Sequence, residues 1–303
     1  MSQYSQADKK NHLELKQVLG KAYDYIPPDS IVLDVGCSAG YFGKSLIQDK
    51  NAIVDGIEVD FEDAKIAEKL LNSIYSFDIE KELHPDKLID KKYDIIFFGD
   101  VLEHLRNPGP VLQRFSKLLK NSGRIIISVP NIAHASIRLE LLSGSFEYEK
   151  LGILDETHLK YFTFTSFSRL LKETGFKIID YDYALSVLPE KVINDWLKKL
   201  GLKAYKKFYH LMNSPEATAY QYKFVVELGE MKKLPQVPTK PLELATQLAV
   251  LHSYQINELD KLVNSLKEEI GNRDKEINDI KNSTSWRVTK PLRSAKKIIS
   301  RKK

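Results

Sequence analysis

The stretch Ile31-Val-Leu-Asp-Val-Gly-Cys-Ser-Ala-Gly40 constrains the fold of this chain more than any other. Its first five residues are an apolar, β-branched run of strand length. The run gives way at once to a glycine-punctuated turn and then to a helix-like pattern over 41–48. A strand, a tight loop and a helix start in that order let loop N–H groups and a helix N-terminus face a ligand, while glycines allow close backbone approach. Gly36 and Gly40 are the two glycines that matter. Asp34, near the strand end, can order the loop or, through water, a cationic group of a ligand. A dinucleotide loop would read G-x-G-x-x-G; counted from Gly36, the third position is Ser38 and the sixth Tyr41, so that fingerprint fails.

Later landmarks follow at regular intervals. A second strand over 51–59 ends in Gly56-Ile-Glu58, and Ser76-Phe77-Asp78 closes a third. Tyr93-Asp-Ile-Ile-Phe-Phe98 is a fourth, followed by Gly99-Asp-Val-Leu-Glu-His104. With these residues in register, the loop resembles motif I of the class I S-adenosylmethionine-dependent methyltransferases, with Ser38 in place of the middle glycine. The resemblance implies cofactor contacts from Asp34, Gly36, Ser38, Gly40 and Asp100. It places Glu58 on the ribose hydroxyls, roughly 20 residues past the loop, and Asp78 on the adenine amino group. The loop 99–104 would border the methyl group and the acceptor. For each acid alone, a solvated or capping role is the plain alternative.

Strands near 31–35, 52–57, 73–77, 94–98 and 124–129 alternate with helical stretches near 41–49, 61–71 and 109–120. An earlier helix over 11–25 stops at Pro27-Pro28. Such alternation predicts βαβ units and a parallel sheet covered by helices on both faces. Helix 165–174 ends at Gly175, strand 176–184 follows, and 218–228 reads as a last long strand. In the resembled family that last strand inserts antiparallel at the sheet edge. The expected fold is therefore α/β, a Rossmann-like, seven-stranded, mostly parallel sheet, with a C-terminal helical coiled coil.

After the fifth strand come Pro130-Asn-Ile-Ala-His-Ala-Ser136 and Ile153-Leu-Asp-Glu-Thr-His-Leu-Lys-Tyr-Phe-Thr163. This connection leaves the carboxyl end of a strand, where open α/β sheets bind ligands. It resembles a branch that includes ubiquinone-type O-methyltransferases and many enzymes of bacterial surface-polysaccharide biosynthesis. The shared stretch is Asp155, Thr157, His158, Tyr161 and Phe162, and the resemblance covers about residues 20–228. An alcohol acceptor needs somewhere to lose a proton, and a histidine, with an unperturbed pKa of about 6.5, can take it. His158 is the first candidate base and His104 the second, with His104 also able to orient the acceptor; Asp155 belongs to the same catalytic group. The alternative for His158 is packing against Tyr161 and Phe162.

Other chemistries find little support. The seven histidines are scattered, and no H-E-x-x-H, cysteine cluster or Walker loop is present, so the sequence motivates no metal without excluding one. Cys37, the single cysteine, suits a reducing cytoplasm and reads as a small loop filler rather than a nucleophile. The first ten residues lack a signal peptide's apolar segment, and no apolar run approaches the about 20 residues of a membrane span. A cytoplasmic location is expected. Residues 185–217, with Trp196, Tyr205, Phe208 and Tyr209, read as a helical insertion over the site, with packing or acceptor contact as the two roles.

The net charge of +5 is unevenly placed. Residues 286–303 hold eight lysines and arginines and no acid, leaving 38 basic against 41 acidic residues elsewhere, a net −3. The body is not a nucleic-acid surface. Four segments follow: a methyltransferase domain over 1–230, a proline-rich linker over 231–243, a coiled coil over 244–282 and a basic tail over 283–303. Heptads place Ile256, Val263, Ile270 and Ile277 at a, and Leu259, Leu266, Arg273 and Ile280 at d. β-branched a positions with leucine at d favour a parallel dimer, although Glu269 at g would then face Asp274 at e. Self-association or a glycosyltransferase partner is expected there, and a sugar or glycan as the acceptor. Ser283-Thr-Ser-Trp-Arg-Val-Thr-Lys-Pro-Leu-Arg293 resembles a segment that follows coiled coils in bacterial polysaccharide enzymes. The basic residues around it would suit peripheral contact with anionic lipid, a solvated tail being the alternative.

Overall fold

The computed structural model describes residues 21–82, 88, 90–237 and 244–282, with side chains in the last segment from 263 onward. Most of the expected first helix and all of the basic tail lie outside these residues. The chain divides into two compact units, Met1–Glu243 and Leu244–Lys303.

Seven strands form one sheet: β1 (Ile31–Val35), β2 (Ile53–Ile57), β3 (Ser73–Tyr75), β4 (Tyr93–Gly99), β5 (Leu119–Pro130), β6 (Phe176–Leu185) and β7 (Ala219–Leu228). The order is β3-β2-β1-β4-β5-β7-β6. The first five strands run parallel; β7 pairs antiparallel with β5, and β6 with β7. Nearly every residue of β1 is buried, as a parallel strand covered on both faces requires. Val32 joins Phe42, Leu46 and Val54 on one face, while Leu33 and Val35 join Phe98, Phe115 and Phe167 on the other. Fully burying each such side chain stabilises by about 1.5–3 kcal/mol.

Helices α1 (Lys21–Asp24), α2 (Tyr41–Lys50) and α3 (Phe61–Ala67) accompany the first strands. Asp60 caps α3 by accepting from the N–H groups of Glu62 and Asp63, 3.0 Å each. α4 (Pro108–Ser116) stops earlier than the expected 109–120, because β5 begins at Leu119 and reaches its regular pairing only after a register shift. Ahead of 164 lies a helix that the sequence pattern did not announce, α5 (Ala135–Leu142), capped by the His134 ring. α6 (Phe164–Glu173) carries a Thr163–Ser166 capping box and buries Phe164, Phe167 and Leu171 at helical spacing. Gly175, at φ +87°, ends it.

One placement differs from the expectation. The last strand, β7, lies inside the sheet between β5 and β6, and β6 forms the edge. The side chains decide it. β7 buries Tyr222, Phe224, Val225 and Val226, whereas β6 leaves Ile179 and Asp180 exposed, as an edge tolerates.

The insertion 185–217 folds into α7 (Glu190–Lys199), α8 (Lys206–Met212) and α9 (Pro215–Thr218). Trp196, Phe208 and Tyr209 pack against Ile193, Leu197 and Met212, while Tyr205 is exposed. The linker is non-helical over 231–237, yet Met231, Leu234 and Val237 pack on the core, so that part is anchored rather than free. In the second unit, α10 (Leu244–Asn282) is one continuous helix of 39 residues. Among the described residues, no helix is long and apolar enough to cross a membrane.

Candidate functional site

Strand order reverses between β1 and β4, and the carboxyl ends of the parallel strands meet there. An open sheet leaves its ligand crevice at that point. Gly36 donates to the Ile57 carbonyl at 2.8 Å and Cys37 to the same oxygen at 3.0 Å, which folds the β1 loop over the end of β2. Gly36 adopts φ +73°, and a Cβ added there would lie 2.5 Å from Val101 Cγ2. Gly40, at φ +81°, starts α2 against Ala67 and Leu71. Ser38 also lies in the left-handed region, at φ +49°.

Two carboxylates hold that loop. Glu58 Oε2 accepts from the Ser38 N–H and Oε1 from the Asp60 N–H, both at 2.8 Å. The Ser38 hydroxyl donates to Asp63 at 2.9 Å. Each Glu58 oxygen keeps a second lone pair, so ribose hydroxyls could still be received there. Burial raises the Glu58 pKa, opposed by those N–H groups. Asp34 is fully buried and its Oδ2 has no hydrogen-bond partner. Burial first, and the Glu58 charge second, push its pKa up to about 7. An unmet anionic acceptor beside a glycine cradle fits a ligand that carries a cationic ammonium group. Burial likewise pushes the Cys37 thiol far up, so it is an inert filler.

The other two acids expected on the cofactor side have local partners. Asp78 accepts from the Glu80 N–H at 2.9 Å and pairs with Lys81 at 2.7 Å, capping the turn beyond β3. Asp100 sits at φ +53° directly past β4. The Ser128 hydroxyl donates to its Oδ1 at 2.8 Å, and the Gln221 amide at 2.5 Å. It thereby ties β4 to β5 and β7 in a strained conformation of the kind that collects at functional sites.

Beyond β4, a short 3-10 turn, Leu102–His104, meets the loop 155–160. The Glu103 carbonyl accepts from the N–H groups of Leu159, 2.8 Å, and Lys160, 2.9 Å, which fastens the two segments together. Thr157 donates its N–H, 2.8 Å, and its hydroxyl, 2.5 Å, to Asp155 Oδ1. That hydroxyl therefore presents a lone pair to His104 Nδ1, 3.0 Å away. The Thr157 carbonyl, 3.3 Å away, also only accepts. The His104 proton thus belongs on Nδ1, and Nε2 carries the free lone pair. Burial, reinforced by the neighbouring His158, holds the His104 pKa below its ordinary value, so the ring is neutral. Burial works against the Asp155 charge, but the two bonds from Thr157 keep its carboxyl below the usual range.

His158 is more enclosed. Its Nδ1 donates to the Ile153 carbonyl at 3.0 Å, and its Nε2 faces Glu103 Oε1 at 4.0 Å. Its ring meets that of His104 edge-on, 4.8 Å between centroids, and lies 6.3 Å from Tyr161. Glu103 is completely buried with neither carboxyl oxygen hydrogen-bonded, and burial, with Asp100 next, raises its pKa strongly. One ligand atom from each of Glu103, His104 and His158 lies within 4.8 Å of the others. Two imidazoles and a carboxyl group are a donor set that a divalent cation can share. The scattered histidines of the sequence gave no sign of it, because residues 103 and 158 meet only through the fold.

Comparison with known proteins follows the same line. A family model described as a methyltransferase domain matches residues 7–181, more than half of the chain. The chain belongs to this methyltransferase family. Relatives include a ubiquinone biosynthesis O-methyltransferase of Colwellia psychrerythraea, 27% identical over 155 residues, which are 50% of this chain and 63% of that protein. The enzyme of the same description from Glaesserella parasuis is 31% identical over 127 residues, 40% of this chain and 53% of its own. The match thus spans less than two thirds of either relative. Among solved structures, an S-adenosylmethionine-dependent methyltransferase from Archaeoglobus fulgidus shares the fold, with a TM-score of 0.51 at 18% identity over 74% of this chain and 99% of that one.

Within this methyltransferase domain, the expected residues fall into two groups, one around the ends of β1 to β3 and one where the segment after β4 meets the loop 155–160. Asp34, Gly36, Ser38, Gly40 and Glu58 form the loop side, with Asp100 at the switch point and Asp78 at the β3 end. His104, Asp155 and His158 form the histidine side. Sequence reasoning named Thr157 without a role and passed over Glu103, Asp63 and Val101. Only Glu103 left a signal, an acid beside a histidine directly after a strand.

Proposed function

We propose that this chain transfers a methyl group from S-adenosylmethionine to a hydroxyl of a sugar in a cell-surface polysaccharide or its precursor. The observation that carries the oxygen-directed chemistry is the Asp155–Thr157–His104 chain, which engages Nδ1 of the His104 ring and leaves the Nε2 lone pair for an acceptor hydroxyl. The cofactor, when bound, supplies a methyl group already activated on a sulfonium. Residues of this chain do the rest. The glycine loop and Glu58 position the donor, and Asp34 receives its ammonium group. The two sides of the crevice align the acceptor oxygen and exclude water. As the carbon–oxygen bond forms and the carbon–sulfur bond breaks, the hydroxyl proton passes to His104 Nε2. The imidazolium is then stabilised through Thr157 by the ionised Asp155, and its proton leaves to solvent.

Glu103 favours a second account of the same proton loss. A divalent cation held by Glu103, His104 and His158 would lower the pKa of an acceptor hydroxyl bound to it. Exhaustive chelation separates the two: activity that survives it belongs to the histidine base, and activity restored only by added cation belongs to the second account.

The sugar acceptor is supported by the likeness of the Ser283–Arg293 segment to tails of polysaccharide enzymes. The names of the relatives favour a phenol such as a quinone precursor instead. Labelled methyl from S-adenosylmethionine, followed into glycan, lipid and small-molecule pools of a cell extract, decides between them. Label in the glycan pool supports the sugar reading, and label confined to small molecules replaces it with the phenol. Cofactor binding without label anywhere would leave a scaffold that binds cofactor without turnover.

A further inference from the structure

Along α10, Val263, Leu266, Ile270, Ile277 and Ile280 are 44%, 47%, 60%, 44% and 56% exposed. Their alternating spacing of three and four averages 3.5 residues, the period of a coiled-coil seam rather than of a helix docked on a globular core. Arg273 occupies the remaining seam position. Its guanidinium bonds Glu269 of the same helix at 2.8 Å.

A parallel, in-register pair sets each seam residue opposite its own copy. Arg273 would then face Arg273, and Glu269 at g would face Asp274 at e. Both meetings join like charges, the first inside the seam where desolvation is costly. Reversing one helix about the point between residues 271 and 272 changes every partner. Val263 then lies opposite Ile280 of the second copy, Leu266 opposite Ile277, and Ile270 opposite Arg273. Each aliphatic residue is covered by another or by the Arg273 stem, whose charged end stays with Glu269 at the rim. On the flank, Lys267 faces Asp274 twice over. Glu269 and Glu276 are the like-charge pair left, also met twice, and each Glu269 is already paired with Arg273 of its own helix. We infer that α10 associates with a second copy of this chain in antiparallel orientation over residues 263–280. The inference rests on the helix alone and stands whatever the acceptor is.

The intact chain supplies the test. Light scattering on a sizing column should give a dimer at about 100 μM, as even a weak specific interface would at that concentration; a monomer there overturns the inference. Asp274→Lys should weaken the dimer by about tenfold in Kd, since two attractive flank pairs become repulsive, and Lys267→Glu in the same chain should restore it. A parallel pair predicts the reverse, because Asp274→Lys would then turn the Glu269 contact attractive. Both changes are on an exposed helix, and unchanged helical circular dichroism confirms that they leave it folded. Orientation is read independently by cysteine crosslinking, with Cys37 buried and silent. A mixture of Leu266→Cys and Ile277→Cys chains should form a mixed disulfide. Neither variant alone should do so, its copies lying ~16 Å apart along the helix. A Leu266→Cys chain that links to itself would overturn the antiparallel assignment.

Discussion

The two sides of the crevice are built by different means. The loop side is local: Gly36 to Gly40, with Glu58 and Asp63 close behind, form one βαβ unit whose carboxylates are met by backbone N–H groups and the Ser38 hydroxyl. The histidine side joins residues 103–104 to residues 155–158, more than 50 positions away, and leaves the Glu103 carboxyl without a hydrogen bond in a buried space. One side is a pre-shaped cradle with a single unmet acceptor, Asp34. The other is a compact set of ionisable groups in which burial shifts Glu103 and His104 and the Thr157 bonds hold Asp155 ionised. Under the proposed function, binding belongs to one side and proton chemistry to the other, and substitutions should separate the two.

The largest separation should come from His104→Ala, which removes the proton acceptor and leaves the loop untouched. Turnover should fall by at least about 100-fold, as general-base contributions require, with cofactor affinity by calorimetry unchanged. His158→Ala, measured beside it, should cost less turnover, because its Nε2 is turned to the buried Glu103 carboxyl, 4.0 Å away. Equal losses would mean that the two rings act as one unit, as cation ligation requires.

Gly36→Ala should do the opposite, weakening cofactor binding by about tenfold or more. A side chain at φ +73° costs roughly 1–2 kcal/mol before the contact with Val101 is counted. Adding Val101→Ala relieves the contact but not the backbone conformation, so affinity should recover only in part.

Asp34 gives the loop side a pH dependence. Its carboxyl is pushed up to about 7 in the folded protein, above the value of about 3.9 in an unfolded chain. The folded state therefore holds this proton more tightly, and the stability contributed is full below about pH 4 and is lost as pH rises to 7. A cationic ligand prefers the ionised form. Cofactor affinity should accordingly rise about tenfold between pH 6 and 8, and Asp34→Asn should abolish the rise while making the ligand-free protein more stable at neutral pH. A flat affinity profile in the unaltered protein would remove Asp34 from the binding of the ammonium group.

The smallest effect is expected from Thr157→Val. The His104 ring loses its orienting hydroxyl but keeps the Thr157 backbone carbonyl, so turnover should drop by several-fold with little change in cofactor affinity.

How much could be read from the chain follows the same division. Apolar runs of strand length, glycines at fixed offsets and acids at strand ends are local signals, and they announced β1 to β5, the cradle, Glu58 and Asp34. A local pattern carries no information on which strand lies at an edge, so β7 was misplaced by one position. It carries none on which nitrogen of a histidine bears the proton either. The order His158 before His104 follows from the resemblance of the stretch Asp155, Thr157, His158, Tyr161 and Phe162 to a family motif. In the fold, Thr157 turns toward His104 instead, and His158 faces the buried Glu103.

The sequence by itself determined the α/β architecture, the glycine loop and the heptad stripe of α10, because each follows from residue type at short, regular spacing. Only the tertiary structure decided the sheet order past β5, the orphaned states of Asp34 and Glu103, and the pairing of Thr157 with His104. Those depend on which distant groups share a water-poor space, and desolvation there is set by everything packed around a group rather than by its neighbours in the chain.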